Sequence, residues 1–161
     1  MNVRFIDTSI IMNLLEIPEK CQDREIVKNE FNKAIETGDT LILPVSTIIE
    51  SGNHIAHIGN GSIRREKALK FKEFLENTAN NKAPWQLYGT ELKNDDLLYI
   101  AKEFPDKALT LNMGIGDLSI IRFYEKYKEN VPAIGKIMIW STDIHLQPYS
   151  EDMTMKRRRN K

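Results

Sequence analysis

Cysteine is almost absent from this sequence: Cys21 is the single one, so no disulfide can form within the chain. A chain without internal disulfides fits a reducing compartment. Long apolar runs are missing as well, and none approaches the length needed to cross a bilayer. The first residues lack the basic start and the small-residue cleavage site of a signal peptide. We therefore expect a cytoplasmic protein with no part in the membrane.

Neither sign of charge is in excess, since 23 Lys and Arg residues balance 23 Asp and Glu residues. Any attraction to nucleic acid must therefore come from a local patch. Hydrophobic residues make up 41% of the chain, which excludes a disordered composition. With 161 residues the chain can bury one complete core. We expect one domain over residues 1–150 and a basic tail over residues 151–161.

Short apolar, β-prone runs alternate with segments of helical periodicity along the chain. This alternation predicts an α/β fold with three layers, α/β/α, in which helices cover both faces of a mostly parallel central sheet. Strands are predicted at 3–7, 40–43 and 137–140, and 85–88 is either a strand or a loop. Helices are predicted at 10–15, 23–37, from 46 onward, at 63–80, from 94 or 95 to about 104, and at 118–128.

Two aspartates follow predicted strands and stand beside hydroxyl groups. Asp7 ends the first strand and precedes Thr8 and Ser9, and the last strand ends on Ser141-Thr142-Asp143. The carboxyl ends of strands in an open α/β sheet border the crevice where ligands bind. Alternatively, Asp7 simply caps the helix that follows it.

Two further acids are expected at the same edge of the sheet. Glu50 and Asp117 fall in the predicted first turns of helices that start there, Asp117 after a glycine-containing turn. For Glu50 an alternative is a capping box with Thr47, in which the carboxylate binds the backbone at the start of the helix.

Four converging carboxylates repel one another unless a cation lies among them. Hard oxygen ligands with room for water suit Mg²⁺ or Mn²⁺, and the soft ligands that zinc favours are missing. A rival zinc site uses Glu50, His54 and His57, which fall on one helix face. These histidines are also compatible with a cleft lining or a partner surface.

The motifs Asp7-Thr8-Ser9, Glu50, Gly116-Asp117 and Ser141-Thr142-Asp143, in this order, resemble those of the PIN-domain nucleases, which include the VapC-type toxins of bacterial toxin–antitoxin pairs. The resemblance covers nearly the whole chain. It implies a metal-dependent endoribonuclease that cuts RNA to a 5′-phosphate and a 3′-hydroxyl. An antitoxin or other partner protein and a homodimer are further expectations from this family.

By the same resemblance, Asp7, Glu50, Asp117 and Asp143 are expected to bind the metal and to be catalytic, with Ser9 and Thr142 supporting them. Bound metal would activate a water molecule and stabilise charge on the phosphate. The sequence leaves two alternatives open: an inactive PIN-like module that binds RNA or protein, and a DNA-directed nuclease of the same fold.

Substrate contacts are expected from His54, one helical turn after Glu50, and from the basic tail. Lysine and arginine side chains that neutralise phosphates add affinity without regard to sequence. The alternative for the tail is a solubilising end. Its basic residues are Lys156, Arg157, Arg158, Arg159 and Lys161.

Overall fold

The computed structural model describes residues 1–159, apart from the side chain of Arg157. Asn160, Lys161 and that side chain, all part of the predicted tail, lie outside the described residues. The strands are β1 (Val3–Ile6), β2 (Thr40–Pro44), β3 (Trp85–Tyr88), β4 (Lys136–Trp140) and β5 (Ser150–Asp152). The helices are α1 (Thr8–Leu14), α2 (Arg24–Glu36), α3 (Val45–Ala56), α4 (Gly61–Ala79), α5 (Asn94–Leu111), α6 (Ile115–Asn130) and α7 (Met153–Arg159). Within residues 1–159, none of these helices is both long and apolar enough to span a bilayer.

The five strands form one sheet in the order β3-β2-β1-β4-β5. Strands β1 to β4 run parallel, with Phe5 of β1 opposite Ile42 of β2 and Ile139 of β4, and β5 is antiparallel to β4. The predicted mostly parallel sheet is therefore confirmed. From β1 the chain steps outward to β2 and β3, and it then returns past β1 to form β4. The winding thus reverses between β1 and β4, which makes that gap the topological switch point of the sheet.

Apolar side chains are buried on both faces of the sheet because neighbouring residues of a strand point to opposite sides. Val3 and Phe5 of β1 pack with residues of α5 and α6, such as Ile100 and Ile120. Ile6 packs on the other face with residues of α1, α2, α3 and α4. Helices therefore cover both faces, as the α/β prediction requires.

Helix α5 is longer than predicted, since it continues from the expected end near Phe104 to Leu111 with Pro105 inside it. A proline in a helix removes one backbone hydrogen bond. Contacts with α6 outweigh that loss. Asp96 of α5 is fully buried and bonded to Arg122 (2.9 Å) and Lys126 (3.0 Å) of α6.

The predicted tail begins inside the sheet, because Glu151 and Asp152 belong to β5. Glu151 accepts hydrogen bonds from the Tyr124 hydroxyl (3.1 Å) and the Lys128 ammonium (2.8 Å), and Lys156 also donates to it. Burial alone would raise the pKa of Glu151, but these donors lower it to about 2. The start of the tail is therefore held on the folded domain by an ionised carboxylate.

Candidate metal centre

Asp7 and Asp143 lie on either side of the topological switch point. The backbone amide of Asp7 donates to the Trp140 carbonyl at 3.1 Å, so the pairing of β1 with β4 continues to the aspartate. Asp7 is 4% exposed, and Ser141-Thr142-Asp143 leave β4 beside it. Ligands of open α/β sheets bind at this position, beyond the carboxyl ends of the strands where the winding reverses.

One oxygen of the Asp7 carboxylate accepts three hydrogen bonds. The Ser9 amide (3.3 Å), the Ser9 hydroxyl (2.7 Å) and the Ser141 hydroxyl (2.7 Å) all donate to Oδ2. The cap interpretation is thus confirmed, because Asp7 is the N-cap of α1. The other oxygen, Oδ1, has no donor among residues 1–159. Asp7 can therefore cap the helix through one oxygen and bind a ligand through the other.

Ser141 joins the two strand ends and was not predicted as a site residue. Besides its bond to Asp7, its oxygen accepts from the Asp143 amide at 2.9 Å. Ser9, a predicted supporting residue, accepts from the Thr142 amide at 3.0 Å. Thr142 therefore takes part through its backbone, and it also lines the crevice described below. The sequence signal for Ser141 was its place between a strand and an acid, like that of the hydroxyls after β1.

Glu50 does not form the capping box that was considered for it. Helix α3 starts at Val45, directly after Pro44, and it has no side-chain cap. Thr47 instead donates to the Ile6 carbonyl at 2.8 Å, which ties α3 to the end of β1. Glu50 consequently lies in the second turn rather than the predicted first, and its Oε2 accepts from the Thr8 hydroxyl at 2.9 Å. Thr8 is thus a second supporting residue that the sequence did not reveal.

The lack of a side chain at Gly116 allows Glu50 to approach Asp117. A side chain at position 116 would put its first carbon 1.7 Å from Oε1 of Glu50, so the carboxylate occupies the space that a Cβ would fill. Asp117 is the next residue and lies in the first turn of α6, as predicted. Glycine before this aspartate therefore allows acids from α3 and α6 to come together.

The four acids are close enough to influence one another's charge. Burial, followed by the negative charges of Asp7, Glu50 and Asp143, raises the pKa of Asp117 to about 6. Burial also raises the pKa of Glu50, where the Thr8 hydroxyl opposes the shift and the charge of Asp7 adds to it. Within residues 1–159, none of the four forms an ion pair with a lysine or arginine.

A crevice of about 350 Å³ contains the predicted site. Its lining includes all four predicted acids, the predicted supporting residues Ser9 and Thr142, and His54. Lys20 also lines it and was not predicted. The tail residues Lys156, Arg158 and Arg159 are not part of its lining.

The residues of the crevice fit a hard divalent cation in their chemistry. Among residues 1–159, no three His, Cys, Asp or Glu side chains stand in a ready-made metal-binding arrangement. Mg²⁺, however, keeps several of its waters and is usually bound by one or two carboxylates. An open crevice lined by carboxylate and hydroxyl oxygens suits such an ion, and its charge would relieve the repulsion that raises the pKa of Asp117.

The rival zinc set gains no support from the geometry. Helix α3 ends at Ala56, so His57 is its C-cap, and Nδ1 of that ring lies 2.6 Å from the Asn53 carbonyl oxygen. Glu50 and His54 line the crevice of the four acids, whereas His57 does not.

Comparison of the sequence with known protein families finds no matching family, and comparison with curated proteins finds no match either.

Proposed function

We propose that this protein is a PIN-like, metal-dependent endoribonuclease that hydrolyses RNA phosphodiester bonds. One observation carries the proposal: four acids that are far apart in sequence line one crevice at the switch point of a parallel sheet. Carboxylates in such a crevice are the usual means of holding Mg²⁺ or Mn²⁺ against a phosphate group. The order and context of the motifs, which resemble those of PIN-domain nucleases, support the same conclusion.

Asp7, Glu50, Asp117 and Asp143 would hold the metal. When bound, Mg²⁺ or Mn²⁺ would lower the pKa of a water molecule and neutralise charge on the phosphate. The protein's own residues orient the carboxylates that would hold the metal. Ser9 and Ser141 fix Asp7 through Oδ2, and Thr8 fixes Glu50 through Oε2, which leaves the other oxygen of each carboxylate without a donor among residues 1–159. A ligand group held by such hydrogen bonds loses less freedom when it binds metal.

The biological role that we propose is that of toxin or effector in a toxin–antitoxin or defence system, acting on RNA in the cytoplasm. Such a nuclease needs a partner protein that restrains it. An apolar pocket of about 380 Å³ lies next to the acids, shares Glu50 with their crevice and is also lined by Gly116. Ile49 and Ile115 at this pocket are more than half exposed, which supports a role for a partner protein or a second copy of the chain here.

Cleavage of a mixed RNA pool by the purified protein tests the proposal, with magnesium, manganese or chelator present. The wild type should cut RNA only with metal. Asp7→Asn should lower the rate more than about 100-fold, since even residues that merely support a metal ligand often matter 10- to 100-fold. Asp23→Asn is the matched control, because Asp23 also sits at a helix N-cap but lies outside the crevice.

DNA of the same sequence belongs in the same experiment. Cleavage of DNA in preference to RNA would favour a DNA-directed nuclease of this fold. Binding of RNA without any metal-dependent cleavage would favour the inactive module. Equal rates for wild type and Asp7→Asn would show that the four acids are not the catalytic site.

A further inference from the structure

Among the lysine and arginine side chains that the structure describes, Lys20 alone lines the crevice of the four acids. Despite this position it forms no ion pair within the described part of the chain. A lysine whose role was to neutralise the acids would be expected to pair with one of them. Its ammonium group is therefore available to an anion that enters the crevice.

The backbone of Lys20 is fixed by a tight turn rather than carried on a loose loop. The amide of Lys20 donates to the Ile17 carbonyl at 3.0 Å, and Ile17 is 1% exposed. Pro18 and Glu19 are the central residues of this turn, and Glu19 has a φ of 66°. That position of a type II turn normally holds glycine, so a glutamate there is strained. The strained residue, Glu19, directly precedes Lys20, which lines the crevice.

His54 also lines the crevice, close enough to Lys20 for their charges to interact. Burial, followed by the positive charges of Lys20 and His57, lowers the pKa of His54. The ring is thus favoured in its neutral form, which can still donate one hydrogen bond. Lys20 and His54 also border a second pocket, lined by Gly59 and Asn60 among others, that adjoins the crevice.

A polyanion that approaches four carboxylates meets strong repulsion, which the bound metal offsets only where it touches the strand. The neighbouring phosphates need positive charge at the rim of the crevice. We propose that Lys20, with His54 beside it, binds the phosphate adjacent to the phosphodiester that is cut. This inference rests on the proposed function, and it adds a substrate-binding residue outside the acidic motifs.

Binding of a fluorescently labelled single-stranded RNA of mixed sequence tests this role over a series of salt concentrations. All proteins carry Asp117→Asn, so that the RNA stays intact in manganese. Lys20→Gln should weaken binding about tenfold, the effect of one hydrogen bond to a charged group. The slope of log affinity against log salt should shrink by about 0.7. Lys20→Arg, which keeps the charge and the donors, should restore most of the binding.

Lys102→Gln is the matched control, because Lys102 is exposed, unpaired within residues 1–159 and absent from the crevice lining. If Lys20→Gln and Lys102→Gln change affinity and salt slope equally, the inference is wrong. It is also wrong if Lys20→Gln only tightens manganese binding, since Lys20 then acts on the acids. The binding measurement needs no cleavage, so it is independent of the cleavage assay. If the protein with Asp117 intact fails to cut RNA in manganese while binding still depends on Lys20, the proposed function is overturned and Lys20 remains an RNA-binding residue.

Discussion

Asp117→Asn should stabilise the metal-free protein, although most substitutions at a partly buried position do the opposite. Asparagine has nearly the size of aspartate, and its carbonyl can still accept the hydrogen bond that Gly114 gives to Asp117. The substitution removes one of four like charges, however. In wild type, burial and the charges of the other three acids raise the pKa of Asp117 to about 6.

This raised pKa determines how the contribution of Asp117 to stability changes with pH. In the folded state Asp117 holds its proton more tightly than in the unfolded chain, so its favourable contribution is fully present only at low pH. That contribution is lost as the pH rises through about 6. At about 1.4 kcal/mol for each pKa unit, the full loss would be about 3 kcal/mol. Asp117 is partly open to water, which screens the charges, so about 1–2 kcal/mol is expected.

Thermal melts at pH 5 and pH 8, in chelator and in manganese, measure this effect. In chelator at pH 8 the variant should melt about 3–6 °C above wild type. The difference should shrink to about half at pH 5, because that pH still lies above the pKa of an aspartate in the unfolded chain. Manganese should stabilise wild type by about 2.7 kcal/mol at a hundredfold excess over its Kd, and the variant by less.

Asp95→Asn is the control, because Asp95 also lies in the first turn of a helix but pairs with Arg122 at 3.2 Å. It should lose a little stability at both pH values and respond to manganese like wild type. An Asp117→Asn protein that melts below wild type in chelator at pH 8, with an unchanged response to manganese, would refute the repulsion argument.

Three more predictions concern single contacts. In cleavage assays Glu50→Gln should abolish activity, whereas Thr8→Val should lower it only about 10- to 100-fold, because it removes a hydrogen bond and no charge. In RNA binding over a salt series, Lys156→Ala should leave the slope unchanged because this lysine is already ion-paired, whereas Arg158→Ala should shrink it by about 0.7 if the tail contacts phosphates. In denaturant titrations Asp96→Ala should cost about 3 kcal/mol, since it leaves two cations without their buried partner.

The parts of the fold that could be predicted are those that produce a pattern among neighbouring residues of the sequence. Apolar runs located β1, β2 and β4, and the acids that follow two of these strands were placed correctly at one edge of the sheet. Strand β5 could not be found this way, because Ser150–Asp152 is polar and owes its strand to pairing with β4. Within α4 the charged Lys67 is only 7% exposed, while the apolar Leu69 is 53% exposed. Periodicity does not reveal which neighbour a helix will meet.

The acids of the candidate site could be predicted from the sequence, but the residues that hydrogen-bond to them were harder to predict. A carboxylate that follows a strand or lies in the first turn of a helix can be recognised from the sequence, as Asp7 and Asp117 were. The hydroxyls of Thr8 and Ser141 gain their roles only when β1, α3 and β4 meet in space. Glu50 was misplaced by one turn because Thr47, an apparent cap, is bonded instead to the carbonyl of Ile6.

The strand order also determines when the site can exist during synthesis. Strand β1 (Val3–Ile6) is made long before its neighbour β4, which ends at Trp140, so one side of β1 stays unpaired until β4 has been translated. Until then Asp7 lacks both the hydroxyl of Ser141 and the nearby carboxylate of Asp143. A nascent chain or a fragment that stops before β4 therefore cannot assemble the crevice. Any activity that depends on the four acids therefore cannot arise before β4 has been translated.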